Sequence, residues 1–201
     1  MAKIDLDRKS RIINAAIKLF IQQGAAFTKL SEVAKSAKVP APLIHYYYKT
    51  VEDLHFDVIQ AAYQDLKIYN HQKSEEQGSD PAQMMAEYLK GPLLWAKERP
   101  GHYSIWLYFY YMASWSDQFE ALHTEIRNGG RARISLIIYR GIEKKVFIIP
   151  QGRTVEELAH WIQSQITGQF VMYGSEKKVR PFETFVRELE VTVFQALGVR
   201  I

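Results

Sequence analysis

The sequence predicts an all-α protein of about nine helices, and three observations carry this prediction. First, apolar residues recur three and four positions apart in most segments, which is the spacing of one helix face. Second, glycine and proline separate these segments, as at Gly24 and Pro100-Gly101. Third, the β-like run at 146–149 has no second run to pair with, so we interpret it as a packed loop or a fraying helix end.

The N-terminal quarter of the chain divides into short helices followed by a longer one. The apolar spacing predicts helices over 7–23, from about 28 to 37, and over 41–47. Thr50 then caps a fourth helix that runs to about residue 73, because Thr50 and Asp53 form a capping-box pattern with Asp in place of Glu. The first three helices would form a small head, and the longer fourth helix would lead into the larger helical body of the chain.

The rest of the chain is predicted to hold five further helices. Pro100-Gly101, Pro150 and Arg180-Pro181 mark breaks between them. The predicted ranges are 81–98, 102–114, 117–145, 154–173 and 181–197.

The net charge of +4 is distributed unevenly along the 201 residues. Residues 1–50 hold nine basic and three acidic side chains, a net of +6, so the remainder carries −2. A basic segment on a near-neutral body suggests that this segment meets a polyanion. The alternative is a solvated charged face, and charge alone does not separate the two.

Composition also excludes several classes of protein. There is no cysteine, which excludes disulfides, thiolate metal sites and cysteine nucleophiles. No apolar run approaches the roughly 20 residues that span a bilayer, and the first residues lack the apolar core of a signal peptide. We therefore expect a cytoplasmic protein that does not contact a membrane.

Residues 28–50 have the spacing of a helix-turn-helix, in which the first helix braces a second that lies in the DNA major groove. The second helix reads APLIHYYYK, a run of hydrogen-bonding aromatic residues that ends in Lys49. Tyrosine hydroxyls can bind phosphates, and aromatic edges can contact sugars and thymine methyl groups. One or two of these rings instead pack inward, and we expect this of Tyr48.

Three stretches of the sequence carry a family resemblance: RIINAAIKLFIQQG (11–24), FTKLSEVAKSAKVP (27–40) and LIHYYYKTVEDL (43–54). Together, residues 8–54 resemble the DNA-binding head of the TetR family of bacterial regulators. Lys38 stands at a turn position where that family usually has Gly, and Val51 stands where it usually has Lys. The resemblance implies a head over 1–52 and a ligand-binding and dimerisation domain over 53–201.

The resemblance also implies a set of DNA contacts. Phosphate contacts are implied for Thr28, Lys29, Tyr47 and Lys49. Base or sugar contacts are implied for Ser31, Ala41, Leu43, His45 and Tyr46. Three further basic residues either add charge against the DNA or are simply exposed to solvent: Arg8, Lys9 and Arg11.

The body of the chain is rich in aromatic residues. The family resemblance implies a small-molecule effector, and large aromatic walls suit a flat or bulky apolar ligand or a cation held against ring faces. The alternative is that the rings only fill the core. The predicted ligand residues are Trp95, Tyr103, Trp106, Phe109, Tyr110, Trp115, Trp161 and Phe170.

The last two predicted helices each carry an apolar stripe. Two such helices from each of two subunits would form a four-helix bundle, and a two-fold dimer suits two DNA half-sites. The alternative is that the stripes pack only within their own chain. The predicted interface residues are Leu158, Trp161, Ile162, Ile166, Phe182, Phe185, Leu189 and Val193.

These observations predict a homodimeric transcriptional regulator that binds double-stranded DNA. By resemblance it is a repressor, released from a palindromic operator by a small, largely apolar or aromatic effector. The alternative is a helical adaptor with a degenerate head. We expect no enzymatic activity, no cofactor and no metal, because the sequence lacks a phosphate-binding loop and a nucleophile elbow, and no third ligand accompanies Glu156 and His160.

Overall fold

The computed structural model describes residues 2–75 and 80–199, and within them the side chains of 7–70 and 80–199. This part of the chain is all-α, as predicted, with one short 3₁₀ turn at Ala25–Phe27. Its nine helices are α1 (Ala2–Gln23), α2 (Leu30–Ala37), α3 (Ala41–Tyr47), α4 (Val51–Glu75), α5 (Pro81–Glu98), α6 (Pro100–Met112), α7 (Asp117–Glu143), α8 (Val155–Glu176) and α9 (Phe182–Ala196). Each of them falls short of the length or the hydropathy that a membrane crossing needs.

The chain forms two compact units. The first comprises the residues up to Lys67 together with Arg99–Glu120, and the second comprises Ile68–Glu98 and Ala121–Ile201. These are units of packing, and the functional division between 1–52 and 53–201 stays a prediction.

In the first unit, α1 packs against both α2 and α6. The start of α6 lies very close to α1, since a β-carbon at Gly101 would stand 2.5 Å from Cδ1 of Ile21. Arg99, just before α6, forms an ion pair with Asp65 on α4 at 2.8 Å. The buried core of this unit includes Ile12, Ala16, Phe20, Val33, Ala34, Ile44, Leu54, Val58 and Phe109.

In the second unit, α5, α8 and α9 pack against one another. The rings of Trp95 and Phe170 lie stacked with centroids 6.5 Å apart. The run at 146–149 is a packed loop, which is one of the two predicted alternatives. The ring of Phe147 covers Gly141, whose missing side chain leaves it room, and the N–H of Ile148 donates to the carbonyl of Leu197 at 2.9 Å.

The predicted capping box at the start of α4 is confirmed. The N–H of Asp53 donates to Oγ1 of Thr50 at 3.1 Å, and the N–H of Thr50 donates to the Asp53 carboxylate at 2.9 Å. These hydrogen bonds hold the pKa of Asp53 below its usual value. The reciprocal pair fixes where α4 begins, and therefore how the chain leaves α3.

Lys38 ends α2 in the left-handed region, with φ 55° and ψ 46°. A side chain costs about 1 kcal/mol there relative to glycine. Lys38→Gly should therefore raise the free energy of unfolding by up to about 1 kcal/mol, measured by urea denaturation. The matched control is Lys35→Gly, one turn earlier in a helical conformation, which should lower it by about the same amount. A loss of stability in Lys38→Gly would contradict this account of the turn.

Candidate nucleic-acid interface

The turn between α2 and α3 sets the angle at which α3 leaves α2. The N–H of Val39 donates to the carbonyl of Ala34 at 3.0 Å, which closes the end of α2. Pro40 is the N-cap of α3, and Pro42 lies in its first turn, where a missing N–H costs nothing. Two rigid residues therefore start a helix of only seven residues.

The two sides of α3 differ sharply in exposure. Ile44 is fully buried and Tyr48, which follows the helix, is 2% exposed. His45 is exposed, and Tyr46 is 76% exposed. The ring of Tyr47 is half-buried and lies edge-on to Tyr46, with centroids 5.3 Å apart. The aromatic run thus divides into an inward anchor and an outward surface.

Tyr48 is the inward anchor, as predicted. Its hydroxyl donates to Oδ2 of Asp57 at 2.9 Å, and the same oxygen forms an ion pair with Nζ of Lys9 at 2.8 Å. Burial, followed by the charge of Asp57, raises the pKa of Tyr48, so the hydroxyl stays protonated. One carboxylate on α4 therefore ties the end of α3 to α1.

The start of α2 is organised around an acidic residue. Glu32 accepts a hydrogen bond from the N–H of Lys29 at 3.2 Å and one from Nε2 of Gln23 at 2.9 Å. These hydrogen bonds hold the pKa of Glu32 below its usual value. Thr28 is 4% exposed, and its hydroxyl donates to the carbonyl of Gly24 at 3.1 Å. The hydroxyl of Thr28 is thus already hydrogen-bonded within the first unit, and its phosphate contact stays a prediction.

The other predicted DNA residues differ in how far they reach solvent. Leu43 and Tyr47 are half-buried on α3. The exposed members are Lys29, Ser31, Ala41, His45, Tyr46 and Lys49. The first unit therefore presents six of the nine residues to solvent, directly before α2, on α2, on α3 and directly after α3.

The three early basic residues have different partners. Arg8 is exposed. Lys9 is bound to Asp57, and Arg11 donates to the carbonyl of Ala37 at 2.8 Å, at the end of α2. Sequence reasoning missed both contacts, because they join residues more than 25 positions apart. An open groove of about 360 Å³ between α1 and α2 is lined by Arg11, Asn14, Ala15, Lys18, Ser36, Ala37 and Lys38.

The segment that contains α2 and α3 matches a known family. Residues 12–58 match the family described as bacterial regulatory proteins, tetR family. These 47 residues are therefore similar to the head of TetR-family regulators, and we refer to the matched segment 12–58 as the TetR-family head.

One curated relative and several solved structures are also similar to this chain. The chain is 26% identical over 83 residues to the HTH-type transcriptional regulator AcrR of Shigella flexneri, a match that spans 41% of this chain and 39% of that protein. A TetR transcription regulator from Haloarcula marismortui superposes with a TM-score of 0.79 at 18% identity, covering 96% of this chain and 97% of the other. A regulator from Saccharomonospora viridis in complex with choline has a TM-score of 0.78 at 16% identity, covering 93% and 95%. At these identities the two structures share the fold with this chain.

The aromatic residues behind the TetR-family head lie in both units. Tyr103, Trp106 and Phe109 are buried in the first unit, where the rings of Trp106 and Phe109 lie 5.5 Å apart. Tyr110 is half-buried, and Trp115 is 54% exposed. In the second unit, Trp95 and Phe170 are buried and Trp161 is half-buried. Two open depressions, one between α1 and α2 and one along α9, are lined by none of these eight residues, so their ligand role stays a prediction.

The predicted interface stripes on α8 and α9 pack largely within the second unit. Six of the eight residues are at most 4% exposed in the single chain: Leu158, Ile162, Ile166, Phe185, Leu189 and Val193. Trp161 and Phe182 are half-buried, and Nζ of Lys97 lies 4.3 Å from the ring centroid of Phe182. The alternative of packing within the chain accounts for the burial of the six, and their role in a dimer stays a prediction.

Sequence reasoning also missed a buried histidine in the unit that contains the TetR-family head. His55 on α4 is 4% exposed, its Nδ1 lies 3.0 Å from the hydroxyl of Tyr108, and its ring meets Phe20 edge-on at 4.9 Å. Its Nε2 is buried with no hydrogen-bond partner among the described residues. Burial lowers the pKa of His55 to about 4 and raises the pKa of Tyr108 to about 12. The apolar spacing around position 55 indicates an inward face and was the available signal.

Proposed function

We propose that this chain is a DNA-binding transcriptional regulator, a cytoplasmic repressor that a small effector releases from a palindromic operator. The single observation that carries the proposal is the contrast between two sides of residues 41–48. Ile44 on α3 and Tyr48 directly after it are buried, whereas His45 and Tyr46 are exposed. A core helix would not leave a tyrosine 76% exposed beside a histidine and a lysine. No catalytic role is assigned.

The outward side of α3 supplies base and sugar contacts in this proposal, and its flanks supply phosphate contacts. Ala41, Leu43, His45 and Tyr46 face the groove, joined by Ser31 from α2. Lys29, Tyr47 and Lys49 bind phosphates of the DNA backbone. Thr28 contributes to the phosphate site by holding the start of α2 through its hydrogen bond to Gly24.

A second copy of the chain completes the DNA-binding unit, because two recognition helices must address two half-sites. The exposed sides of α8 and α9 supply the contact, with half-buried Trp161 and Phe182 at their edges. Val171 and Met172 are 43% and 44% exposed, and a β-carbon at Gly168 would meet nothing within 4 Å. The depression along α9 is lined by Glu183, Thr184, Arg187, Glu188, Val191 and Thr192.

The proposed effector is small and largely apolar or aromatic, since the body offers rings in both units. The choline bound to the S. viridis protein supports a small-molecule site in this fold. The adaptor alternative rests on Val51, which leaves the start of α4 without a lysine.

The test is fluorescence anisotropy with the purified protein and a duplex taken from directly upstream of its own gene. Titrations at two salt concentrations run beside a scrambled duplex of equal length. A regulator binds the native duplex as two protomers and prefers it to the scrambled one. Equal, salt-sensitive binding to both duplexes at every candidate operator would favour the adaptor.

Lys49→Ala should weaken binding to both duplexes alike and lower the salt slope by about one unit, because one phosphate contact releases about one counterion. Anisotropy over a salt series measures the slope. Lys178→Ala, an exposed lysine between α8 and α9, is the matched control and should leave the slope unchanged. An unchanged slope in Lys49→Ala means that Lys49 does not contact phosphate.

A further inference from the structure

Arg127 on α7 is a half-buried cation without an acidic partner. One terminal nitrogen of its guanidinium donates to Oγ1 of Thr124 at 2.8 Å. Its Nε is buried and has no hydrogen-bond partner, and the part of the chain that the structure describes gives it no carboxylate. A guanidinium carries five N–H donors, so most of its capacity is unused.

Other polar groups converge on the same side of α7. Gly130 lies three residues after Arg127 and therefore on the same helix face. The hydroxyl of Tyr88 on α5 donates to the carbonyl of Gly130 at 3.2 Å, and a β-carbon at Gly130 would stand 2.5 Å from Oε1 of Gln163 on α8. That Oε1 is itself buried and without a hydrogen-bond partner among the described residues. Two unsatisfied polar atoms thus lie among three packed helices of one unit.

Such an arrangement is costly for the free protein. A buried charge is strongly disfavoured unless it is paired, and each unsatisfied buried polar atom adds to the cost. Structural arginines in protein interiors are therefore usually paired with a carboxylate. Arg127 would be the cation of such an ion pair, and its carboxylate would come from outside the described residues.

We propose that Arg127 binds the carboxylate of the effector. This inference rests on the proposed effector-controlled function and gives the effector an acidic group at one end of a largely apolar body. Thr124, which contacts the guanidinium, and Tyr88 and Gln163, which contact Gly130 one turn later, are all neutral side chains. A single guanidinium among neutral groups matches a monoanion, since a phosphate dianion would leave one charge uncompensated. A guanidinium also binds both oxygens of a carboxylate in parallel, which fixes the orientation of the ligand.

The test compares carboxylates with neutral molecules of the same shape, on the full chain without DNA. Benzoate, decanoate and hexadecanoate are titrated beside benzyl alcohol, decanol and hexadecanol, with choline as the cationic probe, by calorimetry and thermal shift. At least one carboxylate should bind at least 10-fold more tightly than its alcohol. Arg127→Gln should lose about 10- to 100-fold of that affinity. Arg133→Gln, an exposed arginine on the same helix, should lose none.

A second measurement does not depend on the choice of ligand. Arg127→Met removes an uncompensated charge, so its unfolding midpoint without ligand should lie above that of the unchanged protein. A lower midpoint would mean that the chain itself already neutralises Arg127, which overturns the proposal. Binding of no carboxylate, or equal binding to Arg127→Gln, overturns it as well. If a carboxylate binds through Arg127 but does not release DNA, the site stands and the proposed release mechanism fails.

Discussion

Tyr46→Ala should weaken binding to the native duplex by about 10- to 100-fold, which corresponds to the roughly 1–3 kcal/mol of a good base contact. The side chain is 76% exposed, and its described ring contact is with the adjacent Tyr47. Removing it should therefore leave the free energy of unfolding within about 0.5 kcal/mol of its original value. Anisotropy and urea denaturation on the same preparation separate the two effects.

The specificity of this result depends on two comparisons. If Tyr46 contacts a base, binding to the scrambled duplex should change much less, whereas a sugar contact would be lost on both duplexes alike. Tyr111→Ala is the matched control, since Tyr111 is 61% exposed on α6. If Tyr46→Ala and Tyr111→Ala bind the native duplex equally well, Tyr46 does not contact the DNA.

Acidification should destabilise the protein through His55. Because burial lowers the pKa of His55 to about 4, the imidazole is neutral in the folded chain at pH 5, whereas in the unfolded chain it is protonated below about 6.5. The unfolded state then binds more protons, so the stabilisation is complete above pH 6.5 and is lost as the pH falls towards 4. Between pH 7 and pH 5 the loss from this residue alone should be about 2 kcal/mol.

Urea denaturation at the two pH values measures the loss in the unchanged protein and in His55→Leu. The variant removes the hydrogen bond to Tyr108, so it should be less stable at pH 7. Its stability should nevertheless fall by about 2 kcal/mol less on acidification. If both proteins lose the same amount, His55 does not contribute to the pH dependence.

The helices were predictable because local rules agree with the packing. Helix α3 begins at Ala41 and ends at Tyr47, and α5 begins at Pro81 and ends at Glu98, as the apolar pattern predicted. The start of α6 differs by two residues, because Pro100 and Gly101 begin the helix instead of preceding it. Even the cap at Thr50 followed from four residues of sequence.

The site was less predictable, because exposure depends on which neighbours cover a residue. Helical spacing placed Leu189 and Val193 on an apolar stripe. The spacing alone does not show whether residues of the same chain or of another chain bury that stripe. Tyr48 could be separated from Tyr46 by spacing alone, since it follows Ile44 by one turn. The partners of Lys9 and Arg11 lie on distant elements, and no local pattern encodes them.

The pairing of Lys9 with Asp57 has a consequence for how such a head would search a genome. The +6 formal charge of residues 1–50 overstates the charge available to DNA, because Lys9 is paired with the carboxylate of Asp57, which lies outside those residues. Nonspecific affinity grows with each free cation, and every genomic site competes for the protein. A head in which one cation is paired within its own fold would spend less time on unrelated sequence. A larger share of its molecules would then be free to reach the operator.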